Sequence, residues 1–304
     1  MAESIERRLT RRFTRFLNGS KATSRRQGER IRKDALEVLR RATSRQWRTY
    51  IVGGAIRDLL LGPPGSWPRD VDVIVDGCSG DDLKATFGDM VVLRTSFGGL
   101  HLRKTVEIEG VTTAKYDLLF DVWRLEDTWA IKTTGLTPTI SNFLSTPFLN
   151  IDSIAVALPH GKGPAMVYER GFFQAVATRT LEINSERNPF PLVCAVRSLI
   201  LAVKLDFWIG PRLAQFIQTL MRSAPISELL SAQISHYGRI RAHEDDIEEW
   251  LTNLQAQLDI GPGRVRLMNS RERQLHLWLD WPPHSDHSET HRGLTGHSLI
   301  TRTK

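Results

Sequence analysis

Two aspartates alternate with valines in the run from Asp70 to Val75, DVDVIV. Side chains of a β-strand alternate between its two faces, so Asp70 and Asp72 point to one face and the valines to the other. Carboxylate oxygens are the ligands that hard cations such as Mg²⁺ prefer. Two of them on one rigid face could hold a pair of such ions, and we therefore interpret this strand as a candidate metal site.

A Gly-Gly pair precedes a short predicted helix upstream of this strand. Gly53 and Gly54 let the backbone turn tightly and approach a ligand closely. The helix that opens at Ala55 offers free N–H groups and its positive dipole end to an anion. Arg57, in the first turn, is able to bind a phosphate bidentately. The pattern predicts a phosphate site, in which Asp58 fixes the helix or orients Arg57 instead of binding metal.

A second acidic strand is predicted from Lys115 to Leu125, KYDLLFDVWRL. Asp117 and Asp121 have the same parity and therefore face the same side. Isolated ionised carboxylates are costly to desolvate, so these two must either reach an edge or face a positive charge. A metal ion beside Asp70 and Asp72 would supply that charge.

The segments GGAIRDLLLG and RDVDVIVDG together resemble the head-domain signature of the class II tRNA nucleotidyltransferases and bacterial poly(A) polymerases. These belong to the DNA polymerase beta-like nucleotidyltransferase superfamily. The resemblance extends more weakly to about residue 209, through the strand around Asp121 and a run at residues 148–158 that resembles another strand of the family. It implies an α+β fold, in which a nucleotidyltransferase head with a small mixed sheet precedes an all-helical region.

The resemblance also assigns roles to residues. It implies that Asp70, Asp72 and Asp121 are the catalytic carboxylates and bind Mg²⁺. It implies that the Gly53–Gly54 turn and Arg57 bind the nucleoside triphosphate. The reaction expected is transfer of a nucleoside monophosphate to an acceptor hydroxyl, with release of pyrophosphate and no covalent protein nucleophile.

Departures from the family pattern affect base selection. Where the family has Arg-Arg-Asp, this chain has Thr-Pro-Phe at residues 146–148, and Asp152 replaces an Asn of the strand that follows. The neck helix of the family carries arginines that pair with the incoming base. Pro191 and Cys194 stand in two of their places, and only Arg197 is retained. The device that reads the base in a CCA-adding enzyme is therefore missing, and a preference for CTP does not follow.

The N-terminal segment is strongly basic, with 15 Lys or Arg against 5 acidic residues in the first 48 positions. Apolar residues recur at helical spacing from Ile5 to Leu17 and again from Ile31 to Ala42, which predicts two amphipathic helices. One interpretation is an arm that binds the phosphate backbone of RNA, such as a tRNA or another RNA 3′ end. The other is a solvated basic extension packed on the next domain.

The overall composition agrees with an acidic partner. The 304 residues carry a formal net charge of +7 at pH 7, which favours nucleic acid. Cys78 and Cys194 are too few for a disulfide framework or a common zinc site, so a reducing cytoplasm is expected. No apolar run approaches the roughly 18 to 20 residues of a membrane span, and no membrane partner is expected.

The chain divides by pattern into four parts. We expect a basic helical extension at 1–46, the nucleotidyltransferase head at 47–165, a helical neck and body at 166–260, and a short helix with a tail at 261–304. Helices of the third part are predicted at 193–203, 212–221, 226–234 and 244–258, and one of the fourth at 271–281. The tail contains His284, His287, His291 and His297, which could bind a metal, but its polar composition favours disorder.

The leading functional hypothesis is a metal-dependent nucleotidyltransferase whose expected acceptor is an RNA 3′ hydroxyl. The missing neck arginines motivate a second hypothesis, a catalytically degenerate RNA-binding protein of the same fold. A third is a nucleotidyltransferase with a protein or small-molecule acceptor. The sequence alone does not decide among the acceptors.

Overall fold

The computed structural model describes residues 3–18, 26–43, 45–62, 68, 70–95, 98–108, 114–159 and 165–268. The helix predicted at 271–281 and the histidines of the tail lie outside the described residues. Among the described residues, none of the helices combines the length and the apolarity that crossing a membrane requires.

The centre of the fold is a mixed β-sheet. Its strands are β1 (Arg48–Val52), β2 (Asp70–Asp76), β3 (Val91–Arg94), β4 (Leu100–Ile108), β5 (Ala114–Arg124), β6 (Ile154–Ala157) and β7 (Met166–Glu169). They lie in the order β3-β4-β5-β2-β1-β6-β7. β2 and β5 are parallel, and every other neighbouring pair is antiparallel. The α+β head with a mixed sheet is therefore confirmed, although β7 carries the sheet beyond the expected boundary at residue 165.

Helices cover the sheet along the first part of the chain. They are α1 (Ile5–Asn18), α2 (Arg26–Thr43), α3 (Gly54–Leu61), α4 (Gly80–Phe87), α5 (Trp129–Thr134), α6 (Ile140–Phe143) and α7 (Phe172–Thr178). The two predicted N-terminal helices are thus present, and their apolar stripes share one continuous core with the sheet. They form a packed layer of the domain.

The second part of the described chain is helical, as expected. It contains α8 (Pro191–Leu205), α9 (Pro211–Met221), α10 (Ile226–Tyr237) and α11 (Glu244–Ile260), with a small parallel pair of β8 (Thr180–Leu181) and β9 (Trp208–Ile209). Most of α8 is buried, because its residues are apolar on nearly all sides. This helix packs at the centre of the region and faces the head.

Strand β2 shows how the sequence pattern positions the acidic face. Val71, Val73 and Val75 are buried in the main core, whereas Asp70 and Asp72 on the opposite face are only partly buried. Burial of these valines fixes the register of the strand, because a shift by one residue would bring the aspartates into the core.

Helix α1 holds the C-terminal end of α3 in place. Arg12 donates from Nη1 to the carbonyl oxygens of Leu59 (3.0 Å) and Gly62 (3.1 Å), and Arg8 donates from Nη2 to that of Leu60 (3.3 Å). Cations at a helix C-terminus satisfy its unpaired carbonyls and complement its dipole. The basic N-terminal helix therefore stabilises the helix that carries Arg57.

The segment at 148–158 differs from the expected strand. Its first part is a 3₁₀ turn at Asn150–Asp152, closed by bonds from Asp152 N to Leu149 O (3.2 Å) and from Ser153 N to Asn150 O (3.1 Å). Only the part from Ile154 onward pairs with β1. The turn places Asp152 next to α3, outside the sheet.

Candidate active site

Three carboxylates share one face of the parallel strands β2 and β5. Asp72 lies directly opposite Asp121, and Asp70 lies opposite Leu119. Directly paired residues project to the same side of a sheet, so Asp70, Asp72 and Asp121 form one acidic patch. Asp117 has the same parity but lies further along β5, where it accepts a hydrogen bond from Thr105 Oγ1 (2.7 Å). The structure thus places the three predicted carboxylates on one face of the sheet, with Asp117 nearer the start of β5.

The carboxylates of the acidic patch lie close enough to raise one another's pKa. Burial raises the pKa of Asp72 to about 7, and the carboxylates of Asp121, Asp70 and Asp152 add to the increase, whereas Arg197 opposes it. Carboxylates held side by side in a partly buried place are stabilised by a cation. The hard oxygen donors and the excess of negative charge both fit Mg²⁺.

His101 is the neighbour of this patch that the sequence interpretation missed. It pairs across the antiparallel strands β4 and β5 with Asp121, and its Nδ1 forms a hydrogen bond with Oδ1 of that carboxylate. The hydrogen bond raises the pKa of the His101 imidazole. In the described part of the chain, no group of three or more His, Cys, Asp or Glu side chains is arranged as a metal-binding cluster. An ion bound at the acidic patch would share the Asp121 carboxylate with His101.

The Gly-Gly turn makes contacts with the sheet and with Arg57. Gly53 has φ +63°, a left-handed conformation that favours glycine, and its N–H donates to Ile154 O (2.9 Å). That N–H is thus used by the sheet and does not serve a phosphate. A Cβ atom on Gly54 would lie 3.3 Å from Nη2 of Arg57, so this glycine leaves room for the guanidinium. The N–H groups of Gly54 and Ala55 belong to the first helical turn and have no intrahelical acceptor.

Arg57 is buried and already paired. Its residue exposure is 5%, its Nε donates to Asp58 Oδ1 (2.8 Å), and its Nη1 donates to Asp152 Oδ1. Asp58 thus orients Arg57, as the sequence predicts. Two carboxylates thus occupy the Nε and Nη1 positions of the guanidinium, and binding of a phosphate by Arg57 stays a prediction.

These contacts belong to a row of five charged side chains that links α8 to the head, which we call the charged bridge. Asp152 Oδ2 also accepts from Arg197 Nη2 (2.9 Å), and Asp58 Oδ2 accepts from Lys204 Nζ (3.0 Å). Its members in order are Arg197, Asp152, Arg57, Asp58 and Lys204. The first and the last lie seven residues apart, or about two turns, on one face of α8.

Both carboxylates of the charged bridge are ionised at neutral pH. Burial alone would raise the pKa of Asp58, but Arg57 and Lys204 lower it to about 2. The pKa of Asp152 is likewise lowered by Arg197 and Arg57, against the effect of burial. Removing one partner of a buried ion pair typically costs about 3–5 kcal/mol, so each member supports the others.

Helix α1 presents a basic ridge on its outer face. Arg7, Arg11 and Arg15 are exposed at a spacing of four residues, while Leu9 and Phe13 on the inner face are buried. Arg11 pairs with Glu3 at 2.9 Å. We call Arg7, Arg11 and Arg15 the arginine ridge. It agrees with the packed-extension interpretation of this segment and leaves a cationic surface facing outward.

A comparison with known protein families finds a match within the head of this chain. Residues 49–133 match the family model of the poly(A) polymerase head domain. This range contains the Gly-Gly turn, α3, β2 and β5, and therefore all six predicted site residues. No curated protein sequence matches the chain.

Several solved structures resemble the chain at low identity. A tRNA nucleotidyltransferase complexed with a primer tRNA and an incoming ATP analog has a TM-score of 0.48 and 19% identity over 73% of this chain and 60% of its own. A CCA-adding enzyme in an apo form has a TM-score of 0.48 and 16% identity over 76% of this chain and 52% of its own. The Thermotoga maritima CCA-adding enzyme complexed with tRNA has a TM-score of 0.43 and 14% identity over 91% of this chain and 66% of its own.

The chain thus spans between about half and two thirds of the length of these structures. The match to the family model is confined to the part that carries the acidic patch and the Gly-Gly turn. Residues 49–133 of this chain are accordingly similar to the poly(A) polymerase head domain, as the resemblance of the opening motif implies.

Proposed function

We propose that the chain is a metal-dependent nucleotidyltransferase that transfers a nucleoside monophosphate from a triphosphate to an RNA 3′ hydroxyl and releases pyrophosphate. The observation that carries the proposal is the acidic patch of Asp70, Asp72 and Asp121 inside a poly(A) polymerase head domain. Phosphoryl-group transfer needs positioning and charge neutralisation more than it needs a protein nucleophile. A patch of carboxylates beside a helix N-terminus supports both.

The residues of the acidic patch would hold Mg²⁺. A bound ion of this kind activates an attacking hydroxyl and offsets the charge of the triphosphate. The chain itself supplies the rigid face: Asp70 and Asp72 are fixed by the buried valines of β2, and Asp121 is held in register beside Asp72.

The first turn of α3 supports binding of the triphosphate. The N–H groups of Gly54 and Ala55, together with the helix dipole, attract phosphate oxygens. The charged bridge adds three cations against two carboxylates, so its net charge is positive. Arg197 is its most open member, with a side chain 37% exposed, and offers phosphates an approach from solvent.

The arginine ridge of α1 supports binding of the RNA backbone. Exposed arginines in a row bind phosphates through charge and counterion release, without reading sequence. Because the inner face of α1 is packed in the core, the ridge acts as a fixed surface of the protein.

Base selection must use other contacts than those of the family's neck arginines. Cys194 is buried at 4% exposure, and Pro191 lies at the exposed start of α8. Proline has no side-chain donor and the cysteine thiol is only a weak one, so neither can recognise a base as arginine does. We therefore propose no preference for CTP or ATP.

The test is incorporation of label from each of the four nucleoside triphosphates into a pool of total RNA, with Mg²⁺ present. We expect the wild type to label RNA with at least one triphosphate, and the Asp70→Ala, Asp72→Ala double variant to be inactive while remaining folded by circular dichroism. Absence of labelling by the wild type with all four triphosphates would refute the proposal.

One observation favours a second candidate, an RNA-binding protein that has lost catalysis. Arg57 is engaged by two carboxylates, and Asp121 is engaged by His101. Calorimetry with ATP and Mg²⁺ distinguishes the candidates. Binding that depends on Mg²⁺ and is lost in Asp70→Asn supports the enzyme, whereas RNA binding without any triphosphate binding supports the second candidate.

A further inference from the structure

Asp152 occupies the centre of the charged bridge and serves two arginines at once. Its Oδ1 accepts from Nη1 of Arg57, and its Oδ2 accepts from Nη2 (2.9 Å) and Nε (3.3 Å) of Arg197. Its side chain is 12% exposed, and that of Arg57 is 6% exposed. Asp152 therefore joins the two guanidinium groups through its two oxygens.

Asp152 offsets the repulsion between Arg57 and Arg197. Two guanidinium groups meet where the head contacts α8, and without an anion between them they would repel each other in a poorly solvated place. Asp152 supplies that anion within the protein. The chain is thereby stable with these two arginines in place before any ligand arrives.

The same arrangement weakens the site for an external anion. A triphosphate oxygen and the Asp152 carboxylate are the same kind of acceptor, and both require the donors of Arg57 and Arg197. The carboxylate also adds negative charge near Asp72, whose pKa it helps to raise. A phosphate that approaches these arginines must therefore displace Asp152 or share with it the N–H donors of the arginines. The negative charge of Asp152 repels the phosphate in either case.

We propose that Asp152 is a positioning residue that acts as an internal substitute for the phosphates: it holds Arg57 and Arg197 and thereby sets the affinity for the triphosphate. The proposal rests on the proposed function, because it assumes that a triphosphate binds beside these arginines. It concerns the affinity for the phosphates, and it applies to every nucleotide irrespective of its base.

The test measures binding and stability on the same variants. Calorimetry gives the affinity for MgATP and for magnesium tripolyphosphate, which has phosphates and no base, in the full chain without RNA. Thermal unfolding without ligand gives the stability. For Asp152→Asn we expect both affinities to increase about tenfold, the factor that about 1.4 kcal/mol represents. We expect the unfolding temperature without ligand to fall, because Arg57 and Arg197 lose the charged carboxylate that they share.

Asp206 provides the matched control. It also joins two arginines, accepting from Arg179 Nη2 (2.6 Å) and from Arg266 Nη2 (2.8 Å), but it lies at the C-terminal end of α8, beyond the charged bridge. Its φ is +55°, a conformation that asparagine adopts readily, so Asp206→Asn keeps the backbone. We expect this variant to leave both affinities unchanged.

A second comparison ties the effect to Arg57. In Asp152→Asn combined with Arg57→Ala, the gain in affinity over Arg57→Ala alone should be markedly smaller than in the single variant, because one of the two released groups is gone. If Asp152→Asn does not fold, the double variant Asp152→Asn, Arg197→Gln is compared with Arg197→Gln alone. The double variant should bind magnesium tripolyphosphate more tightly.

The outcomes separate the two proposals. If the wild type and all variants bind neither MgATP nor tripolyphosphate, the proposed function fails and this inference fails with it. If the wild type binds both and Asp152→Asn binds them equally or more weakly, only the inference is overturned, and Asp152 is a structural ion-pair partner. A gain for MgATP without a gain for tripolyphosphate would also contradict it, since the base would then be responsible.

Discussion

Replacing Asp58 by Asn removes the carboxylate that joins Arg57 of α3 to Lys204 of α8. Its pKa in the folded protein is lowered to about 2 from the ordinary value of 3.8 for an aspartate. At about 1.36 kcal/mol per pKa unit, this difference corresponds to about 2 kcal/mol of stability that depends on the ionised state. The side chain is only 23% exposed, so screening by solvent reduces this figure little.

The sign of the pH dependence follows from the direction of the shift. A carboxyl whose pKa is lower in the folded state contributes its full stability above the unfolded-state value of 3.8, and loses it as the pH falls through about 2. The difference in free energy of unfolding between wild type and Asp58→Asn should therefore be largest from pH 5 to 7. By pH 3 about half of the ionisation-dependent part should be lost.

Urea unfolding of both proteins at pH 7, 5, 4 and 3 measures this difference. Asp81→Asn is the control, because the Asp81 side chain is 93% exposed and pairs only with Lys84 on the surface. We expect that control to change the free energy of unfolding by no more than about 0.5 kcal/mol. A wild-type minus Asp58→Asn difference that stays constant from pH 7 to pH 3 would refute the assigned role of Asp58.

Two further predictions concern the RNA surface and the sheet. Changing Arg7, Arg11 and Arg15 together to Gln should weaken RNA binding and reduce the slope of log affinity against log salt by about 2, as measured by filter binding at several salt concentrations. Gly99→Ala should destabilise the fold by about 1–3 kcal/mol in thermal or urea unfolding, since the added Cβ would lie 2.4 Å from Cε3 of Trp123.

Each of these two has a discriminating control. For the arginine ridge it is the triple change of Arg187, Arg212 and Arg222 to Gln, which removes the same charge from exposed positions of the helical region. An equal loss in both triple variants would indicate a general charge effect and contradict a specific role of α1. For the sheet it is Gly88→Ala, where nothing lies within 4 Å of the added atom. Similar stability of both glycine variants would contradict the steric argument.

Local features of the site could be predicted because they depend on neighbours in the chain. The alternation of Asp70 and Asp72 with valines fixes their common face, since strand geometry has a period of two residues. The helix from Ile5 to Asn18 was predictable from the spacing of its apolar residues. The tight turn at Gly53 was predictable from the Gly-Gly pair. The orienting contact of Asp58 with Arg57 involves adjacent residues, and it too was predictable.

Contacts between distant segments were not predictable in the same way. The pairing of Asp72 with Asp121 requires the parallel register of two strands, and the hydrogen bond of His101 with Asp121 requires a third strand in a particular register. Strand alternation gives the parity of a residue but not its partner. Nothing in the sequence indicated that His101 would meet the carboxylate of Asp121.

The sequence alone was sufficient for the resemblance of the head to a known family, for the acidic face of β2 and for the departures at the neck arginines, because each is a local pattern of residue types. Only the tertiary structure decided the state of Arg57, whose partner Asp152 lies 95 residues away in the chain. The position of Arg57 in the first turn of α3, taken alone, predicts a side chain that is free to bind a phosphate. Packing of α8 and the 3₁₀ turn against α3 buries it between two carboxylates, because a desolvated guanidinium must find anions and the fold supplies them before any ligand does.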